Sequence, residues 1–153
     1  MNKPERLFDV PHYQLANKPL SDAIATKVNG EWVKISTQEY VNNATHISSA
    51  LVEKGIEPGD KVALISANNR YEWNIMDIGI LQAGAIDVPM YPTASEDDYT
   101  YIFNDASVKI CFVSNLELYE KVKRVQPNCP TLKEVYIFDD EKGVPNWKEV
   151  LEL

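Results

Sequence analysis

Asn69, Arg70 and Tyr91 are the side chains of this chain best placed to meet a ligand. They fall in Ser66-Ala67-Asn68-Asn69-Arg70 and Tyr91-Pro92-Thr93-Ala94, two polar and aromatic segments that each follow an apolar run of strand type. In open parallel sheets ligands gather beyond the carboxyl ends of strands, so these segments offer contacts in a cleft or at an interface. They offer no bond-making group. The plainer assignment is that Asn68 or Asn69 caps the next helix and Arg70 is a surface cation.

Other chemistry is harder to find. The glycines are Gly30, Gly55, Gly59, Gly79, Gly84 and Gly143, and they form no Gly-x-Gly-x-x-Gly. Gly79 and Gly84 have the spacing of a phosphate loop, but Ala85-Ile86 follows where Lys and Ser or Thr are required. Gly79 reads instead as a site of close helix packing. Glu39, Asp97, Asp98 and Glu117 fall in first helical turns, where carboxylates satisfy free amides. Asp139-Asp140-Glu141 marks a turn. His12, in an irregular N-terminal arm, and His46, inside a helix, have no evident nucleophile beside them. Cys111 lies in an apolar strand and Cys129 in the loop Pro127-Asn128-Cys129-Pro130, neither with a neighbour suited to zinc or a disulfide framework.

The elements that position these groups are legible from pattern. Residues 1–20 read as an irregular arm, 21–36 as a hairpin, 37–140 as helix and strand in alternation, and 141–153 as a tail. Asn29-Gly30 between alternating runs predicts the hairpin turn. Ser36-Thr37-Gln38-Glu39 is a capping box before a helix that stops at Gly55. Lys61–Ser66, Ala85–Met90, Val108–Val113 and Glu134–Phe138 read as strands. Tyr71–Ala83, a segment opening at Ser95-Glu96-Asp97-Asp98, and one opening at the box Ser114–Glu117 read as helices. Pro89 cannot donate to a ladder and fits a strand end. The expected fold is α/β: a mainly parallel sheet with helices on both faces, preceded by a β-hairpin.

Composition narrows the partners. The chain has 153 residues, 44% hydrophobic and 25% charged, enough for a real core. Its formal net charge of -8 repels phosphate backbones, so nucleic acid is not an expected partner. Lys121, Lys123 and Arg124 read as a solvated helix end complementing the macrodipole. No secretory signal or membrane span is evident, which suggests a cytoplasmic protein.

The segments also resemble a known family. Leu81-Gln82-Ala83-Gly84-Ala85-Ile86-Asp87-Val88-Pro89-Met90-Tyr91-Pro92-Thr93 resembles the Leu-x-Ala-Gly…Val-Pro…Pro motif of adenylate-forming enzymes. Ile35–Tyr40 and Gly55–Val62 agree in order and spacing with the same superfamily. Asn69-Arg70-Tyr71-Glu72-Trp73 is similar to the Asn-Arg-Pro-Glu-Trp of long-chain fatty-acid–CoA ligases, and Tyr91–Ser95 and Asn29–Trp32 fit that branch. Tyr71 departs from it by replacing proline at a helix start. A Ser/Thr/Gly-rich loop ending in Pro-Lys-Gly does not occur before Leu153.

The resemblance implies an N-terminal part of an AMP-binding domain, from a ligase that uses ATP, Mg²⁺ and CoA to activate a fatty acid. The family's phosphate loop, adenine-binding motifs and catalytic lysine have no counterpart here, so no catalytic residue is assigned. The expected partners are the remainder of the same polypeptide and the parent's substrates, and the isolated chain is expected to be inactive and to self-associate. A peripheral membrane position is left open for the parent. The alternative is a stand-alone α/β binding or interaction module.

Overall fold

A computed structural model describes residues 3–28 and 30–152. The hairpin pairs β1 (Ile24–Val28) with β2 (Glu31–Ile35) antiparallel, from Ile24 opposite Ile35 to Val28 opposite Glu31. Asn29, half of the expected turn, lies outside the described residues; Gly30 takes φ +87°. A separate four-stranded sheet has the order β4-β3-β5-β6, with β3 (Lys61–Ile65), β4 (Ile86–Met90), β5 (Val108–Val113) and β6 (Glu134–Ile137) all parallel. Between and around them lie α1 (Asp9–Asn17), α2 (Thr37–Glu53), α3 (Tyr71–Gln82), α4 (Glu96–Asp105), α5 (Leu116–Val125) and α6 (Lys148–Leu151).

Burial on both faces explains the unbroken apolar strands. Val62 and Leu64 of β3 and Phe112 of β5 pack with Ile47, Leu51, Ile75, Met76 and Ile80 of α2 and α3. The alternate residues Ala63, Ile65, Cys111 and Val113 pack with Tyr99, Phe103, Leu118 and Val122 of α4 and α5. α2 and α3 meet closely at Gly79. A Cβ there would fall 2.6 Å from Ile47 Cγ2 and 3.0 Å from the Ala44 carbonyl oxygen, so only glycine fits.

Helix ends follow local chemistry. The Ser36–Glu39 capping box forms, and Ser95 with Asp98 forms another. α2 closes in a Schellman arrangement: the Gly55 amide donates to Val52 O and the Ile56 amide to Leu51 O. Pro89 sits on the edge strand opposite Leu64, where a missing ladder donor is tolerated.

Two expectations need correction. The N-terminal arm is not irregular throughout, because Asp9–Asn17 is helical. Asp9 accepts hydrogen bonds from the Glu5 and Arg6 amides and pairs with the Arg6 guanidinium, closing the turn before the helix. The Ser114–Glu117 box does not form either. Asn115 is the N-cap, accepting from the Leu118 amide at 3.0 Å, while buried Ser114 is used elsewhere.

Candidate functional site

The carboxyl ends of the strands form a rim, and three of them are tied together by Arg70. Its guanidinium meets Glu72 through two bonds, Nε to Oε2 at 3.0 Å and Nη2 to Oε1 at 2.7 Å. Nη1 donates to Asp139 Oδ1 at 2.8 Å, just beyond β6, and to the Ser114 carbonyl at 3.0 Å, just beyond β5. Phe138 lies beneath the guanidinium, 5.3 Å from its centre. Burial alone would lower the guanidinium pKa; the bonds from Glu72 and Asp139 outweigh it and hold the group charged.

The loop after β3 is held from several sides. The Ala67 amide donates to Ser114 Oγ at 3.0 Å, and Ser66 Oγ donates to the Asn68 carbonyl at 2.6 Å. The first amide of α3, from Tyr71, donates to buried Thr26 Oγ1 at 2.7 Å, so the hairpin supplies that helix's cap. Ser66, Asn68, Asn69, Arg70, Trp73 and Asn74 line a cavity of about 340 Å³.

These contacts overturn the plainer reading of the loop. Neither Asn68 nor Asn69 caps α3, whose N-cap position is Arg70, and Arg70's own side chain makes no cap bond. Arg70 is no surface cation, since its side chain is only 13% exposed. Sequence spacing could not show this. Glu72 is a local partner, but Asp139 lies 69 residues away and meets Arg70 only because β6 is parallel to its neighbours.

Asn69 and Arg70 share one cavity; Tyr91 belongs to the neighbouring loop, beyond β4. Its ring is 83% exposed. Its carbonyl is fixed by Tyr99, whose hydroxyl donates to Tyr91 O at 3.0 Å, and the Lys121 ammonium donates to Ala94 O. Lys121 also lies over the Tyr99 ring at 4.7 Å. The solvated-end reading therefore fails for Lys121, while Arg124 pairs with half-exposed Glu96.

The cavity can order a polar ligand through carboxamides and the Trp73 ring. It does not fit a triphosphate or its Mg²⁺. Arg70 is the cation of the cavity, and two carboxylates and a carbonyl already neutralise it.

A family model described as AMP-binding enzyme matches residues 12–151. The chain belongs to the AMP-binding enzyme family. Among its relatives, long-chain-fatty-acid–CoA ligase FadD15 of Mycobacterium tuberculosis is 31% identical over 108 residues, 71% of this chain and 18% of its own length. Long-chain-fatty-acid–CoA ligase ACSBG2 of Xenopus laevis is 29% identical over 136 residues, 86% of this chain and again 18% of its own length. Among solved structures, a long-chain-fatty-acid-CoA ligase, FadD1, from Archaeoglobus fulgidus superposes with TM-score 0.79 at 17% identity, covering 99% of this chain and 31% of that one. The anthranilate CoA ligase AuaEII, in complex with anthranoyl-AMP, gives TM-score 0.79 at 20% identity over 95% of this chain and 26% of its own. This chain therefore spans under a fifth of the length of the two relatives named first.

Proposed function

We propose that the chain is the N-terminal portion of an AMP-forming ligase that activates a long-chain fatty acid and transfers it to CoA. A carboxylate oxygen attacks the α-phosphorus of ATP and expels pyrophosphate. The CoA thiolate then attacks the acyl carbonyl and expels AMP. The observation that carries the reading is the family match over residues 12–151 together with 31% identity to a ligase named for long-chain fatty acids.

The chain's own part in that chemistry is architectural. Charge building on phosphoryl oxygens needs uncommitted cations, backbone donors and metal. The rim's guanidinium is committed to Glu72 and Asp139. Residues 1–153 alone are accordingly inactive. Among the described residues no helix is long and apolar enough to cross a membrane.

The test supplies the complete polypeptide with ATP, Mg²⁺, CoA and either palmitate or acetate, and measures AMP release. Faster release with palmitate is expected; a preference for acetate contradicts the long-chain assignment.

A further inference from the structure

The loop after β3 keeps polar groups that no contact uses. Among the described residues, the side chains of Asn68 and Asn69 make no hydrogen bond, and neither do the backbone amides of Asn68, Asn69 and Arg70. The Asn74 carboxamide donates to the Arg70 carbonyl at 3.3 Å, which leaves its oxygen free to accept. These groups line the cavity of about 340 Å³ together with Ser66 and the Trp73 ring. Trp73 packs against the core that α2 and α3 share with the sheet, so its ring is a fixed wall.

That lining selects among the substrates of the proposed ligase. A long acyl chain needs an apolar wall, and Trp73 is the single apolar side chain of this lining. Phosphates, whether of ATP or of the nucleotide end of CoA, need an uncommitted cation. Arg70 is already bound to Glu72 and Asp139, in a chain of net charge -8. What fits is the neutral pantetheine arm of CoA, a chain of amides with a hydroxyl and a gem-dimethyl branch. Each ligand amide carries an N–H and a C=O, and an asparagine carboxamide presents the complementary acceptor and donor. The free loop amides add donors for a carbonyl, and the gem-dimethyl branch suits an indole face.

We propose that the cavity beyond β3 is a subsite for the pantetheine arm of CoA, with Asn68, Asn69 and Asn74 as its polar contacts and Trp73 as its apolar wall. The inference rests on the reading of the complete protein as a CoA ligase and gives this loop a part in the second step, where the thiol must be held near the acyl carbonyl. Arg70 is a positioning residue for the subsite. It fixes the loop against the Ser114 carbonyl and Asp139, and with its charge met on both sides it does not draw phosphate into the cavity. The carboxamides discriminate by what they leave unpaired: a ligand without amides would strip water from them and return no hydrogen bond.

Calorimetric titration of the complete polypeptide with CoA, with pantetheine and with ATP, in the absence of fatty acid, tests the subsite. Asn69→Ala and Asn68→Ala, both at exposed loop positions, are each expected to weaken CoA and pantetheine by the same factor, about three- to tenfold. Weaker CoA with pantetheine unchanged would place the nucleotide end in the cavity and overturn the proposal. Weakening of ATP in step with CoA would make it an adenosine site and overturn it equally. CoA affinity equal to wild type in both variants would show that the remainder of the polypeptide fills the cavity, which also overturns it. Fatty-acid-dependent exchange of pyrophosphate into ATP, run without CoA, reports on the ligase reading separately. Exchange with CoA affinity untouched by the variants refutes the subsite alone; absence of exchange refutes the ligase reading, and the titrations are read independently of it.

Discussion

Arg70 and Glu72 face each other across the start of α3 through two parallel bonds of 3.0 and 2.7 Å, with both side chains largely buried at 13% and 8% exposure. Such a pair contributes little net stability when whole, because desolvation offsets attraction. Broken, it leaves a charge buried without compensation. That asymmetry makes Arg70 a sensitive point for the whole rim, since Ser114 and Asp139 hang on the same guanidinium.

Arg70→Ala is therefore expected to destabilise the fold by about 3–5 kcal/mol, because Glu72 loses its partner. Replacing both residues with apolar side chains of similar volume should cost much less. Urea unfolding of the single and double variants checks this. Equal losses in both would show that packing, not the charge, is what Arg70 supplies.

How much of this was legible in the sequence differs by residue. The capping residues Ser36 and Ser95 announce their helices because the interacting groups lie three residues apart. The inner strands β3 and β5 are equally plain, since burial on both faces demands apolar runs such as Val62–Ile65 and Ile110–Val113. Asn115 was obscured by Ser114, which looks like a cap but has its hydroxyl drawn to the Ala67 amide. α1 carries no sustained apolar stripe, so its helix depends on Asp9 and on contact with α2. Arg70 was misread because its second carboxylate arrives from a distant strand end.

Stability should depend on pH through Asp87. Burial first, and then the charge of Asp77, push its carboxyl from 3.8 up to about 7. The folded state therefore binds this proton more tightly than the unfolded chain does. The contribution is fully present below about 3.8, declines as pH rises and is lost above about 7. D87N should flatten the stability profile over that window for residues 1–153. An unchanged slope would place the titration elsewhere.

Gly79→Ala should destabilise by about 1–3 kcal/mol, as a methyl group there meets Ile47 Cγ2 at 2.6 Å. Ile47→Ala in the same chain should recover part of that loss. Non-additivity in a thermal double-mutant cycle is the expected signature.

Ser107 closes α4 with φ 55°, the left-handed conformation a side chain resists. Ser107→Gly should stabilise the chain by about 1 kcal/mol, because relief of strain exceeds the added freedom of the unfolded glycine. A measured loss of stability would mean that the serine side chain makes a compensating contact.

The reading of this chain as the architectural part of a ligase places the phosphate chemistry elsewhere in the polypeptide. The most direct measurement is fatty-acid-dependent exchange of pyrophosphate into ATP, run side by side on residues 1–153 and on the complete polypeptide. Exchange by the complete polypeptide and none by residues 1–153 is expected. Exchange by residues 1–153 alone, or none by the complete polypeptide with any fatty acid, would contradict it.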